Sequence, residues 1–140
     1  MIKDKKGGAT LEFALTSIIP VAIMIVIYMV VVIFGAIKAT DEAAREAART
    51  YARYYFIDNV QAQNLARESA KNAFLVKAPP GSTFVTSNVK FYQSNGVIST
   101  YQNMTVSVET RVPVPFIGER SFIRSYTFPL ESYKRKESLW

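Results

Sequence analysis

An uncharged apolar run near the N-terminus constrains this chain more than any other feature. The 25 residues from Phe13 to Ile37 carry no charge, and the stretch Val21–Phe34 is almost wholly apolar. A helix of that length measures ~38 Å, whereas the hydrocarbon core of a bilayer is ~30 Å thick. The remaining residues are too few to enclose such a helix as a soluble core. The run therefore predicts a membrane-spanning helix over residues 13–37.

The flanks of this run predict its orientation. Three lysines and one aspartate precede it, within MIKDKKGG. Short basic flanks stay in the cytoplasm, while long domains are exported largely regardless of their charge. We therefore expect a cytoplasmic N-terminus and an exported C-terminal domain. A cleaved secretory signal is disfavoured, because the run exceeds the 7–15 or so apolar residues of such signals and the following GAIKAT offers no clean cleavage site.

The composition excludes much chemistry. The chain has 140 residues, which suits one domain, a net charge of +6, and neither cysteine nor histidine. Disulfides, thiolate nucleophiles, imidazole bases and Cys/His metal sites are therefore excluded. The sequence contains no phosphate-binding glycine loop, and nothing in it pairs two carboxylates for acid/base work. We expect no enzyme, no metal and no cofactor.

Alanines dominate the segment that follows the apolar run, so the helix is expected to continue. No Gly or Pro interrupts the chain between Gly35 and Pro79, and alanine is the best helix former. Ion pairs are expected for Asp41–Arg45, Glu42–Arg45 and Glu46–Arg49. A seam of small residues allows close helix approach, and it consists of Ala36, Ala39, Ala43 and Ala47. This seam fits packing on the chain's own β-domain and packing in a multi-helix filament equally well.

Arg45, Arg49 and Arg53 form a basic row that precedes several aromatic residues. Such rows can bind nucleic acid or anionic headgroups, or can simply be a solvated face. Because acidic residues interleave with this row, we expect no nucleic-acid partner.

The C-terminal part predicts an α+β fold. Asp58-Asn59 favours a break, a second, shorter helix follows over about 60–76, and Pro79-Pro80-Gly81 ends it. Alternating β-formers then predict a three- to four-stranded antiparallel sheet with a turn at Ser94-Asn95-Gly96 and a proline break over 112–118. The predicted strands cover 83–92, 97–101, 104–112 and 121–130.

Several of these features occur in an order that resembles a known family. A basic leader, Gly-Gly, the segment ATLEFAL and a long apolar helix together resemble the class III signal peptide of type IV-like pilins. Glu-Phe-Ala-Leu followed by Pro20 is similar to TadE-like pilins of tight-adherence (Flp) pilus systems. The resemblance continues through AAREAARTYARYY and the β-rich segment, and so covers nearly the whole chain.

The resemblance implies processing by a prepilin peptidase between Gly7 and Gly8. Cleavage would remove a leader of residues 1–7, leave Glu12 as the fifth residue and lower the net charge from +6 to +4. The long helix would then occupy residues 8–57 and the exported α+β domain residues 58–140. In this family the glutamate guides assembly by pairing with the N-terminal ammonium of a neighbouring subunit, which assigns Glu12, with Phe13, to assembly and register.

The implied function is that of a structural subunit of an extracellular filament that supports surface attachment. Its partners would be copies of itself or other pilins, the inner membrane before assembly, and the pilus assembly machinery. The resemblance leaves open whether the subunit is principal or minor. The alternatives are a permanently membrane-anchored periplasmic or surface adaptor domain of a secretion or pilus assembly machine, and a membrane-tethered binding domain.

Overall fold

The fold is α+β, as the sequence predicts. A computed structural model describes residues 2–55, 57–95 and 102–129. Two helices precede a three-stranded sheet, and a short 3₁₀ turn connects the two parts. The elements are α1 (Ile2–Tyr54), α2 (Asn59–Lys77), the 3₁₀ turn (Thr86–Asn88), β1 (Val89–Asn95), β2 (Gln102–Val114) and β3 (Gly118–Pro129). The predicted strand over 97–101 lies outside the described residues.

Helix α1 is a single helix of 53 residues that contains Pro20. It begins earlier than the predicted residue 8 and ends at Tyr54, before the predicted residue 57. The hydroxyl of Thr16 donates to the Glu12 carbonyl at 2.6 Å, and the hydroxyl of Ser17 donates to the Ala14 carbonyl at 2.8 Å. Because both hydroxyl groups are hydrogen-bonded to carbonyls of the preceding helical turn, these side chains are compatible with an apolar environment.

Helix α2 begins at a conventional N-cap. Asp58 is extended, and its carboxylate accepts a hydrogen bond from the Val60 amide at 3.0 Å, which confirms the predicted break. The helix lies antiparallel to α1: Thr50 donates to Ser69 at 2.9 Å, in the middle of α2, while Lys77 at its end lies 3.8 Å from Glu42, which precedes Thr50 on α1.

The sheet has the order β1-β2-β3 with both pairings antiparallel. Val106 of β2 pairs with Phe91 of β1 and with Tyr126 of β3. The buried face of β2 alternates along the strand, which confirms the predicted alternation. It consists of Met104, Val106, Val108, Thr110, Val112 and Val114.

The predicted strand over 83–92 is wrong in its first half. Regular pairing begins only at Val89, and Thr83 forms one isolated bridge with Arg111. Phe84 instead packs on Phe74 of α2, with ring centroids 5.4 Å apart. That contact holds the segment against the helices before it joins the sheet.

The proline break is narrower than the predicted 112–118. Strand β2 continues through Pro113, and only residues 115–117 form the turn. The pairing of β2 with β1 ends at Val108. Beyond it, the contact of β2 on that side is the isolated bridge between Arg111 and Thr83. Pro113 therefore occupies an edge portion of the strand, where a missing N–H is tolerated.

The core forms where α1 crosses the inner face of the sheet. The Thr40 and Thr110 hydroxyl oxygens are 2.7 Å apart and fully buried, and Thr40 also bonds the Ala36 carbonyl at 2.7 Å. Further along the helix, the Tyr51 ring lies 5.1 Å from Phe91 and 6.3 Å from Phe128.

Helix α2 lies beside α1 and reaches β1 through Arg67, whose guanidinium lies 5.7 Å from the Phe91 ring centroid. Arg67 thus reaches the face of the sheet that α1 covers. The opposite face carries mainly polar side chains, among them Thr105 and Thr127, whose hydroxyls are 2.9 Å apart.

We predict that Tyr51 makes stability fall at alkaline pH. Burial, with a smaller contribution from Tyr55, raises the pKa of Tyr51 from 10.0 to about 12. The unfolded state releases this proton above pH 10 while the folded state retains it, so the contribution of Tyr51 is complete below pH 10 and is lost as the pH rises towards 12. Tyr51→Phe should remove this decline.

Chemical denaturation in detergent at pH 8 and pH 11 measures the effect. At the lower pH, Tyr51→Phe should cost about 1 kcal/mol, because it removes the 2.7 Å hydrogen bond to Asn59. The matched control is Tyr54→Phe, because Tyr54 is 41% exposed. An equal alkaline loss in wild type and Tyr51→Phe would contradict this assignment.

Candidate functional site

Helix α1 has two halves with different surroundings. From Gly7 to Val31 no residue is buried, whereas burial begins at Val32 and is complete at Ala36. We call residues 7–31 the projecting half and residues 32–54 the packed half. Only 6% of the most apolar window of the helix is buried in the fold. The core helix of a soluble protein would be mostly buried, and this part of α1 is not.

The projecting half exposes apolar side chains over most of its surface, and only Ile25 and Met29 in it are partly buried. Phe13 is 77% and Met24 is 70% exposed. Among the described residues, α1 is the one helix long and apolar enough to cross a membrane. The domain joins it at the end of the predicted span, since a Cβ placed on Gly35 would lie 3.5 Å from the Pro79 ring.

Glu12 and Phe13, the predicted assembly residues, both lie exposed on the projecting half. Glu12 is the sole charged residue between Gly7 and Ile37, and it takes part in none of the ion pairs among the described side chains. A carboxylate at the centre of a bilayer costs about 3 kcal/mol and less near the interface, so a cation close to Glu12 would relieve a real penalty.

Gly7 and Gly8, the predicted cleavage residues, lie inside α1. A Cβ placed on either glycine would meet no atom within 4 Å, and both have ordinary helical backbone. Each glycine costs about 1 kcal/mol relative to alanine in a helix. Neither packing nor backbone conformation therefore explains why glycine occupies both positions.

The small-residue seam lies inside the chain. Ala36, Ala39, Ala43 and Ala47 are all 0% exposed and belong to the core cluster formed with α2 and the sheet. Of the two alternatives for this seam, packing within the chain accounts for its burial. Because the alanines carry only a methyl group, α1 can approach its neighbours closely along this seam.

The basic row on α1 is solvated and partly paired. Arg45 lies 3.2 Å from Asp41 and Arg49 lies 3.0 Å from Glu46, as predicted. The expected Glu42–Arg45 pair is wrong: Glu42 faces Lys77 of α2 at 3.8 Å, because it lies on the side of α1 that meets α2. The two arginine side chains are 52% and 66% exposed.

Two further observations concern the chemistry of the described surface. Where side chains are described, no three His, Cys, Asp or Glu residues come together as a metal site. An open groove of about 640 Å³ lies beside α2, and its lining includes Arg67, Glu68 and Lys71. Glu68 is the one carboxylate in that lining, so the groove holds no pair of acids for general acid/base chemistry.

Two polar contacts, one buried and one partly buried, were not apparent from the sequence. The Thr40–Thr110 pair links residues that are distant in sequence. The Tyr51–Asn59 hydrogen bond involves a tyrosine that the sequence suggested only as a packing residue. A threonine within an alanine-rich helix face was the available signal for Thr40.

Neither a protein-family model, nor a curated protein, nor a solved structure matches this chain. The projecting half therefore stands as the candidate functional site on its geometry: an exposed apolar helix with one carboxylate and two unpacked glycines near its start.

We predict that a substitution of alanine by leucine lowers stability in the packed half of α1 and has no effect in the projecting half. Ala43→Leu places three extra carbons in a fully packed seam and should destabilise the fold by about 1–3 kcal/mol. Ala22→Leu, at an exposed position of the projecting half, should leave stability unchanged. Thermal unfolding in detergent followed by circular dichroism measures both. Equal melting temperatures for the two variants would show that the seam is not tightly packed.

Proposed function

We propose that this chain is a TadE-like, pilin-like structural subunit of a Tad or type IV-like extracellular filament that supports surface attachment. It is inserted in the bacterial inner membrane with its C-terminal domain exported, and then assembles by packing of N-terminal helices. The observation that carries the proposal is the division of α1: the projecting half exposes most of its apolar surface, while the packed half is fixed in the domain.

Two apolar environments suit the projecting half. Before assembly it requires lipid, because its apolar surface is unfavourable in water. In a filament the same surface packs against the projecting halves of neighbouring copies. Since lipid and packed helices are similarly apolar, assembly exchanges one for the other, and side-chain packing and polar contacts decide the outcome.

Glu12 supplies the polar contact in this proposal. Its carboxylate pairs with the N-terminal ammonium that cleavage creates on a neighbouring copy. Opposite charges attract strongly in an apolar setting, and an unpaired charge is penalised there. Misregistered subunits leave both charges unpaired, so the pair selects the correct register.

Processing at Gly7–Gly8 accounts for the two unpacked glycines. A peptidase must reach the backbone, and a helix weakened by two adjacent glycines unwinds locally at lower cost. The absence of a Cβ at both positions also leaves the peptide bond sterically open. Both properties support recognition by a prepilin peptidase.

A permanently anchored adaptor of a secretion or assembly machine is the second candidate. Helix α1 runs unbroken from Ile2 through both glycines, so an uncleaved chain would hold the same domain at the membrane. In that case the protein remains with the membrane fraction and the leader is retained.

We predict that Gly7→Leu blocks processing although it favours the helix. Mass spectrometry of the cellular protein should give a chain beginning at Gly8 for wild type and a chain that keeps residues 2–7 for the variant. Gly35→Ala is the control, because its new Cβ would lie at an ordinary 3.5 Å from Pro79. An uncleaved wild-type chain in purified filaments would refute the processing step.

We predict that Glu12→Ala strongly reduces filament yield without loss of membrane insertion. The variant removes the register contact but leaves the apolar surface intact. Glu68→Ala, which removes an exposed carboxylate from α2, should assemble normally. Sheared surface fractions and washed membranes measure the two pools. Wild-type yield for Glu12→Ala argues against the register role, and recovery of wild type solely in membranes favours the adaptor.

A further inference from the structure

The turn between β2 and β3 lies at the end of the domain that faces the projecting half. Thr40 meets Thr110, whereas Tyr51 meets Phe128, whose strand partner is Met104. Moving towards the C-terminus of α1 therefore means moving towards the N-terminus of β2. The two elements run in opposite directions, so the C-terminal end of β2 points along α1 towards its projecting half.

Strand and helix rises place the turn along the helix. From Thr110 to Val114, β2 advances ~14 Å, which equals the rise of roughly 9 helical residues. Counted back from Thr40, that distance reaches Val31 at the furthest, because any inclination of β2 to the helix axis shortens it. Strand β2 thus ends near the boundary between the packed and the projecting half.

A second series of contacts independently gives a similar position for the end of β2 along α1. A Cβ on Gly81 would lie 3.2 Å from the Pro113 ring, and one on Gly35 would lie 3.5 Å from the Pro79 ring. Pro113 therefore lies close to the loop that touches α1 at Gly35. Because β2 points towards the projecting half, the turn that follows Pro113 lies further in that direction than Pro113 itself.

The turn presents apolar side chains in a conformation that does not favour them. The Ile117 amide donates to the Val114 carbonyl at 3.3 Å, and Pro115 and Phe116 occupy the centre of the turn. Phe116 has φ 66°, where glycine or asparagine fits best. Its ring is nevertheless 82% exposed, and Ile117 is 44% exposed. A strained, exposed phenylalanine suggests a functional constraint on its side chain.

We propose that this turn is a second membrane contact: Phe116 and Ile117 enter the interfacial layer of the phospholipid bilayer that holds the projecting half. The proposal rests on the membrane location in the proposed function. Aromatic side chains favour the membrane interface, and this one is carried there by a domain already joined to the spanning helix.

Basic residues lie at the height expected for headgroups. Arg120 pairs with Val112 across the sheet, and Lys38 lies two residues before Thr40. Both are exposed, and both lie further from the projecting half than Phe116 does. Their charges suit the phosphates of anionic lipids, whereas the turn itself suits the apolar layer beneath. The exposed carboxylate of Glu119, which pairs with Pro113, lies among these charges and nearer the turn. The order of apolar tip and charged rim along α1 matches the order of layers in a bilayer.

Nitroxide labels test this placement in the full chain. Because the chain contains no cysteine, Phe116→Cys, Tyr28→Cys and Ile57→Cys each provide one labelled position. Tyr28 lies in the projecting half, and Ile57, which is 75% exposed, lies at the opposite end of the domain. In vesicles of phosphatidylethanolamine and phosphatidylglycerol, collisions with oxygen and with a water-soluble nickel chelate report depth.

The label at Phe116 should be several-fold less accessible to nickel than the label at Ile57, and less deeply placed than the label at Tyr28. If Phe116 is as accessible as Ile57 while Tyr28 is shielded, the second contact is refuted and the membrane helix stands. If Tyr28 is also accessible to nickel, the membrane location fails, and this inference fails with it.

A second pair of variants separates lipid contact from turn strain. Phe116→Asn suits the backbone of the turn, so it should not unfold the domain. A label at Ile117→Cys should nevertheless become several-fold more accessible to nickel in that background. Tyr92→Asn, which removes a 53% exposed aromatic ring from the outer face of the sheet, is the matched control and should leave the Ile117 label unchanged. Unchanged accessibility in Phe116→Asn would refute anchoring by the ring.

Discussion

The close approach of the alanine seam of α1 to the sheet and to α2 is the contact on which the rest of the structure depends. A long, uniformly apolar helix cannot bury all of its surface in a small domain. Methyl side chains let the packed half come near the sheet without bulk, and the Thr40–Thr110 pair fixes the position of α1 along β2. The domain is therefore built around one end of the helix and leaves the other end free.

This division gives the two halves different physical tasks. The packed half is stabilised by burial of small side chains, by the Tyr51 ring cluster and by ion pairs at the rim. The projecting half has no such partners in the fold, and its hydroxyl groups bond back to their own helix. Its exposed surface is consequently available to lipid or to identical helices, which is the basis of the proposed function.

Strong local signals made much of the architecture predictable. The uncharged run indicated α1, Asp58 indicated the start of α2, and strict alternation gave the inner face of β2. The buried face of α2 was harder, because Ala62, Ala66 and Ala70 carry weak hydrophobic signals while Val60 and Leu75 are exposed. The Glu42–Lys77 contact and the height of the β2–β3 turn depend on how separate elements align, which local patterns do not encode. At the candidate site, Glu12 and the glycine pair stood out by residue type alone, whereas the burial of the alanine seam required the tertiary fold.

The absence of a break at the junction between the two halves has a geometric consequence. Helical backbone continues from Val32 through Gly35 into the seam. A rotation of the projecting half about the helix axis therefore rotates the domain by the same angle. One residue added or removed there would turn the domain by about 100° around the helix axis while moving it only ~1.5 Å along that axis. The direction in which the polar face of the sheet points is thus set by the phase of the helix. If copies pack through their α1 helices, each copy would present the polar face of its sheet at the same angle about its own helix axis.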